Sequence, residues 1–281
     1  MELRIIVCVK PIPDPEKYHD IKIDPVKKTI VREGITTIIN PIDKHAVEEA
    51  LKLKTKFGGK VTLISMAPPN TQDAILEGLA MGADEAVLLS DREFAGADTL
   101  ATSYVIAQGI KKIGGADLIL TGTESGDGAT AQVPSQLGEW LGIPHLWGVT
   151  GLRMEQDDDL YLKTKFENGY MEWQGSLPLV LAVARELNKP RYTTIMGVMK
   201  AKKKPFQMLS AADLELDYRY IGLKGSPTQP GDIFTPEIGR RGEIIKGSKE
   251  ELGDFIIEKL RANGVNVEKL TLGCEGVGKN E

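Results

Sequence analysis

Residues 116–142, ADLILTGTESGDGATAQVPSQLGEWLG, read as an apolar strand at Leu118–Leu120, a loop of small and polar residues, and a helix beginning near Thr130. No lysine or arginine occurs between Ala116 and Gly142. An anionic group held here must therefore rest on backbone N–H groups, on hydroxyls and on the positive end of a helix dipole. A nucleotide phosphate is held in that way at the carboxyl end of a strand in an α/β sheet. Gly122, Gly126 and Gly128 are expected to allow close backbone approach and positive φ. The same residues also read as an ordinary strand-to-helix loop capped by Thr130, because the glycine spacing matches no standard fingerprint.

The chain upstream of this loop alternates strand and helix. Leu3–Val9 is a continuous apolar run of strand length, as expected of a strand covered on both faces. Asn40 reads as an N-cap, with Pro41 at the first helical position and Asp43 three residues after the cap. Ala46, Val47, Ala50 and Leu51 then follow a helical period until Gly58-Gly59. Val61–Met66 is the next strand, and Asn70 and Asp73 repeat the capping arrangement before a helix carrying Ala74, Ile75 and Leu79. A short strand at Ala86–Leu89 and a helix from Ala97 to Ile113 complete the series. Repeated βα units of this kind imply a doubly wound parallel sheet with helices on both faces.

After Pro144 the pattern turns to β, with strand-length segments at Val149–Met154, Leu160–Phe166, Tyr170–Gln174 and Leu179–Val183, and Asn168-Gly169 as a hairpin turn. These read as a small antiparallel addition. Past Arg185 the periodicity fades. Lys200–Pro205 is a basic run, Leu216–Gly247 offers little to bury, and Ser248 with Glu251 forms a capping box before a final amphipathic helix. The expected organisation is an α/β nucleotide-binding domain over residues 1–205 and an extended C-terminal arm over 206–281 that lies across a partner.

Composition narrows the function. An apolar content of 41% with 27% charged residues in 281 residues is that of a globular protein. A net charge of -5 argues against a general nucleic-acid binder. Cys8 and Cys274 support neither a disulfide framework nor a zinc site. The longest apolar run, Leu177–Ala184, is too short to span a bilayer, so no membrane insertion is expected. The first residues run straight into a strand, which points to the cytoplasm.

His19, His45 and His145 have no nucleophile with a positioned acid nearby and no second histidine at metal spacing. Asp14, Asp20 and Asp24 are spaced too loosely for an EF-hand. There is no Walker lysine loop and no G-x-G-x-x-G after the first strand, which ends instead in Lys10-Pro11-Ile12-Pro13-Asp14. The chain thus reads as a nucleotide holder without bond-breaking machinery. Four segments converge at the carboxyl edge of such a sheet: Cys8–Lys10, Asn40–Asp43, Met66–Ala67 and the Gly122–Ser135 loop, which includes Ser125 and Gly126. Each also has an ordinary role, Cys8 and Met66 as core, Asn40 and Asp43 as caps.

These residues resemble a known family, the β subunit of electron transfer flavoprotein. The resemblance lies in VCVKPIPD (7–14), NPIDKHAVEEAL (40–51), LAMGADEAVLL (79–89), GDGATAQVPSQL (126–137) and ELNKPRYTTIMGVMKAKKKP (186–205), in order across residues 1–205. It implies a heterodimer with an α subunit that carries FAD and exchanges electrons with dehydrogenases, or with a quinone- or ferredoxin-linked redox partner. It implies that this subunit binds AMP or a second FAD. The pocket it implies comprises Cys8, Asn40, Pro41, Ile42, Asp43 and Met66 with Asp127, Gly128, Ala129, Thr130, Ala131, Gln132, Val133 and Pro134. The docking loop for dehydrogenases maps to Pro190–Lys200, with Tyr192, Ile195 and Met196 as its apolar contacts and Ile195 at the tip. The chain departs from the family at Glu124, usually Gln, and at Pro134-Ser135, usually Gly-Pro. Members with AMP carry an acidic D-D-D-type stretch, whereas Asp127–Val133 is of the D-G-x-T-A-Q-V form that goes with a second FAD and electron bifurcation. The isoalloxazine ring would then project toward Lys10 and Met66. A nucleotide sensor of the universal-stress type would need a G-x-x-G ending near Gly-Ser, and a nucleotide-activating ligase a Lys or His at the phosphates; the chain shows neither.

Overall fold

Leu3, Ile5, Val7 and Val9 point to one side of the first strand, Ile6 and Cys8 to the other, and all six are buried. This is the signature of a strand inside a sheet covered on both faces. The computed structural model describes residues 2–20, 22–23, 30–31, 36–155, 159–229, 231, 242 and 244–267. Chain order begins with β1 (Arg4–Cys8), β2 (Pro11–Pro13), β3 (Lys22–Ile23), β4 (Ile30–Val31) and β5 (Thr37–Ile39). Then α1 (Pro41–Phe57), β6 (Lys60–Met66), α2 (Gln72–Met81), β7 (Glu85–Leu89), α3 (Thr99–Lys112), β8 (Leu118–Gly122) and α4 (Val133–Leu141) alternate. Four strands follow: β9 (His145–Met154), β10 (Asp159–Phe166), β11 (Gly169–Ser176) and β12 (Leu179–Val183). The last elements are α5 (Ile195–Ala201), β13 (Phe206–Leu209) and α6 (Lys249–Ala262).

Nine strands form one sheet in the order β11-β10-β9-β12-β8-β1-β6-β7-β13. The strands from β9 to β13 in that order pair in parallel, and β10 and β11 add antiparallel at the edge. Two small antiparallel pairs, β2–β5 and β3–β4, stand apart from it. On one face Ile5, Val7, Leu63 and Leu118 pack with Val47, Leu51, Ile75 and Leu79 of α1 and α2. On the other, Ile6, Ile64, Val87 and Ile119 pack with Val105, Ile110 and Leu137 of α3 and α4. The expected doubly wound α/β fold is present. β1 lies between β6 and β8, so the chain reverses its winding between β1 and β8. Ligands of such sheets bind in the crevice outside the carboxyl ends of strands at that switch point.

Several local expectations are corrected. The helix after β8 starts at Val133, not near Thr130, and its N-cap position is Gln132 with no side-chain cap bond. Asn40 precedes α1 but makes no cap bond either, and Thr71, not Asn70, sits before α2. In contrast, Asp98 caps α3 by accepting from Leu100 N (2.9 Å) and Ala101 N (3.1 Å). After Pro144 the expected antiparallel addition is present as β10 and β11 at the edge of the main sheet, while β12 joins in parallel between β9 and β8.

The segment beyond residue 205 is also more structured than its composition suggests. β13 pairs in parallel with β7 from Phe206↔Ala86 to Leu209↔Leu89. Ala211, Leu214 and Ile221 are buried against the α3 and α4 face. Tyr220 packs on Tyr104 and Trp140 with ring centroids 5.5 and 5.4 Å apart. The backbone is pinned as well: Ala211 N donates to Asp91 Oδ2 and Thr228 N to Asp98 Oδ2, each at 2.9 Å. The chain divides into two compact units, Met1–Ile233 and Phe234–Glu281, later than the boundary expected at 205. Within the second unit α6 begins at the expected capping box, with Ser248 and Glu251 bonded reciprocally. Cys274 and the side chain of His19 lie outside the described residues.

Candidate functional site

Asn40 and Asp43, which read as a helix cap, join three segments of the carboxyl edge. The Asn40 amide donates to Asp43 Oδ1 (2.9 Å) and to the Glu124 carbonyl (2.8 Å), and its Oδ1 accepts from Gly126 N (3.2 Å). Asp43 accepts from Lys10 N through Oδ2 (2.8 Å) and from Gly122 N through Oδ1 (3.2 Å). One turn of α1 therefore holds the end of β1 on one side and the loop after β8 on the other. A β-carbon on Gly122 would overlap Asp43 Oδ1, so glycine is required there for close approach. Ile42 is buried beside it, its Cγ2 3.1 Å from that same β-carbon position, and Pro41 fills the first helical position.

Burial drives the Asp43 carboxyl from 3.8 up to about 7, and the hydrogen bonds from Lys10 N, Asn40 and Gly122 N pull it back only in part. Cys8 is buried, and desolvation followed by the Asp43 charge pushes its thiol far above the ordinary range, so it is a neutral packing group. Met66 lies half-buried at the end of β6 on the same side as Cys8, toward α3 and α4.

The loop itself departs from the glycine reading. Positive φ occurs at Ala129 (46°) and Ala131 (56°), not at Gly122, Gly126 or Gly128. Alanine in the left-handed region is unfavourable and persists only where surrounding structure enforces it. Here Ala129 N is tied to Ser125 O (2.8 Å) and Gly128 N to Ser125 Oγ (3.3 Å). The left-handed Ala131 is followed by the right-handed Gln132 (φ -95°, ψ -30°), a pairing that turns successive N–H groups into one concavity. Among the described residues, the N–H groups of Thr130, Ala131 and Gln132 find no acceptor. They lie at the start of α4, where the helix dipole favours negative charge. Val133 is half-buried and Pro134 buried, anchoring the helix end beneath the loop. This donor set fits a phosphate group.

Lys10, expected at the carboxyl edge with the end of the first strand, reaches further than that. It crosses from β1 to the lysine-free loop, where Nζ donates to Asp127 Oδ1 (2.7 Å) and Ser125 Oγ (3.2 Å). Burial raises the Asp127 carboxyl, but the Lys10 hydrogen bond and charge outweigh it and hold the carboxyl below its usual range. Its position just past a strand end at the sheet edge was the available signal. Trp147, also unforeseen, donates from Nε1 to the Thr123 carbonyl at 3.3 Å while remaining half exposed. A cavity of about 500 Å³ lined by Glu85, Val87, Lys112 and Gln207 lies at the start of β7 and β13, the opposite edge of the sheet, and takes no part in this site.

Tyr192, Ile195 and Met196 belong to a different surface. Tyr192 is 89%, Ile195 85% and Met196 65% exposed, so they do not tuck into the core of this chain. The approach to them is rigid. Arg191 donates from Nε and Nη2 to the two oxygens of Glu48 (2.7 and 3.1 Å), and Asn188 Nδ2 donates to Glu49 Oε2 and the His45 carbonyl (2.9 Å each). His45 thus has a structural partner in Asn188. Thr194 caps α5 by accepting from Gly197 N at 3.0 Å.

A family description, the electron transfer flavoprotein domain, matches residues 27–214. The chain is 44% identical over 259 residues to an electron transfer flavoprotein subunit beta of Clostridium acetobutylicum, covering 92% of this chain and 98% of the relative. It belongs to the electron transfer flavoprotein β-subunit family. The same family likeness extends to the caffeyl-CoA reductase–Etf complex subunit CarD of Acetobacterium woodii, 41% identical over 92% of this chain and 98% of CarD. Protein FixA of Bradyrhizobium diazoefficiens is 36% identical over 94% of this chain and 93% of its own length. Electron transport is the functional class of an electron transfer flavoprotein β subunit. Among the described residues no helix is long and apolar enough to cross a membrane and no cluster of metal-ligating side chains occurs.

Proposed function

We propose that this chain is the β subunit of a heterodimeric electron transfer flavoprotein in the cytoplasm, with an adenine nucleotide, FAD, held between the end of β1, the start of α1 and the loop before α4. The observation that carries the reading is the run of N–H groups at Thr130, Ala131 and Gln132 that find no acceptor among the described residues, with Ala129 and Ala131 in the left-handed region. The loop carries small side chains at Gly128, Ala129 and Ala131, which leave room for a pyrophosphate and a riboflavin arm. FAD here, in addition to the FAD that the resemblance assigns to the α subunit, gives the heterodimer two flavins. A second flavin would permit the splitting of an NADH-derived electron pair between a low-potential and a high-potential acceptor. Acid denaturation of the purified heterodimer, followed by chromatography of the released nucleotides, is expected to give two FAD per heterodimer. One FAD and one AMP would replace the bifurcating reading with that of an ordinary carrier holding structural AMP.

Docking to a dehydrogenase is assigned to Tyr192, Ile195 and Met196, exposed apolar side chains on a rigidly fastened segment. Such side chains act as anchors in a partner's pocket, and methionine adapts to more than one partner. Ile195→Ala is expected to slow electron transfer to the partner dehydrogenase by about tenfold or more at limiting partner concentration. Nucleotide content should not change; loss of nucleotide in this variant would assign Ile195 a structural role. Lys200, Lys202 and Lys203 steer acidic partners toward this surface, so the association rate should fall as salt is raised.

A further inference from the structure

Lys10 has a fixed root and a movable charge. Its N–H donates to Asp43 Oδ2 at 2.8 Å and its carbonyl accepts from Asn40 N at 2.9 Å, so its main chain is clamped to α1 at both ends. The ammonium rests on Asp127 at 2.7 Å and on Ser125 at 3.2 Å, with both partners of the ion pair reached by solvent (48% and 33% exposed). A β-carbon on Gly128 would lie 3.8 Å from Nζ, so the charge sits against the wall of the loop whose Thr130, Ala131 and Gln132 N–H groups find no acceptor among the described residues. A carboxylate at Asp127 beside a phosphate site is unfavourable by itself, and the ammonium cancels it. The half-exposed ion pair is weak enough to be exchanged for a stronger partner.

Resting on the nucleotide reading above, we propose that Lys10 is a phosphate-binding residue of this site and that Asp127 is its resting partner. A phosphate oxygen displaces the Asp127 carboxylate from the ammonium, and affinity is set by the balance between the two contacts. The arrangement makes predictions of opposite sign for the two partners. Removing the lysine charge loses an attraction and unmasks a repelling carboxylate. Removing the Asp127 charge frees the ammonium and ends the repulsion. A pair that only braced the loop would make both variants bind more weakly.

The test uses the heterodimer, freed of bound nucleotide, with AMP and ADP as probes in equilibrium dialysis. Lys10→Gln is expected to weaken both probes about 10- to 100-fold, the range for loss of a charge-assisted bond to phosphate. Its affinity should also depend less on salt than that of the unaltered protein. Lys10→Arg should stay within about threefold of the unaltered protein, and Asp127→Asn should bind equally well or up to about tenfold more tightly. The double variant should recover part of the loss seen in Lys10→Gln. Equal weakening in Lys10→Gln and Asp127→Asn, or an unchanged affinity in Lys10→Gln, overturns the proposal and leaves the nucleotide reading standing. An unaltered heterodimer that binds neither probe and releases no nucleotide from this subunit on denaturation overturns both. The folding of each variant is checked by its melting temperature, since the main-chain clamp at Lys10 does not involve the substituted atoms.

Discussion

Asp43→Ala is expected to remove nucleotide from this subunit and to lower its stability by about 3 kcal/mol, at the low end for two buried donors stripped of their acceptor. The donors are Lys10 N and Gly122 N, at the ends of β1 and β8, and Asn40 loses one of its two amide partners as well. In a unit of this size that energy corresponds to a fall in melting temperature of about 6–12 °C. Nucleotide is lost because the same atoms set the distance between the end of β1 and the phosphate loop. A variant that melts normally and retains nucleotide would remove Asp43 from the site.

The same carboxyl gives a pH signature. Its value in the folded chain is about 7 against 3.8 for an unperturbed aspartate, because burial disfavours the charged form. Between these values the folded state holds a proton that the unfolded state has released. The stability associated with neutral Asp43 is therefore fully present below pH 4 and is lost as pH rises to about 7. The slope near pH 6 is on the order of 1 kcal/mol per pH unit. Melting temperatures across pH 5 to 8 should show this decline, and Asp43→Asn should flatten it. An identical slope in the two proteins would show that Asp43 is not the titrating group.

These two residues also mark the limit of what the chain reveals without its fold. Asn40, Pro41 and Asp43 announce the start of α1 correctly, because a helix start is a local signal. The atoms that Asn40 binds, Glu124 O and Gly126 N, lie 84 and 86 residues away, and nothing local distinguishes a cap from a brace. The continuous apolar strands β1 and β8 and the glycine stop at Gly58 are legible for the same local reason. The loop is not: alanine disfavours the left-handed region, so glycine is the natural guess, whereas the bonds from Gly128 N and Ala129 N to Ser125 and from Gly126 N to Asn40 hold the loop in a turn that its residue types do not announce. Lys10 is legible at the carboxyl edge, but its bonds to Ser125 and Asp127 join residues 115 and 117 positions apart and are not. The edge strand β13 was hidden because four residues after a basic run carry no periodicity, and its place is fixed by pairing with β7.

Ending the chain at Ile233 is expected to abolish co-purification with the α subunit while leaving a folded nucleotide-binding unit. The cut must come after the first compact unit. A cut near Leu216 would remove Tyr220 from its contacts with Tyr104 and Trp140 and expose the pocket left by Ile221, so loss of the partner would then report only unfolding. Beyond Ile233 the described residues center on α6, which is properly capped yet buries none of its residues, leaving Ile256 57% and Ile257 37% exposed. An isolated helix of 14 residues is marginal in water, so a capped helix with an apolar stripe needs a surface to pack against. The α subunit is the partner that the family reading supplies. The truncated chain should keep the melting temperature of the full-length chain measured alone, and its recovery on a tagged α subunit should fall by at least tenfold. Recovery at the full-length level would sink the assignment of this arm to the subunit interface, and would leave the sheet edge formed by β11 as the surface to examine next.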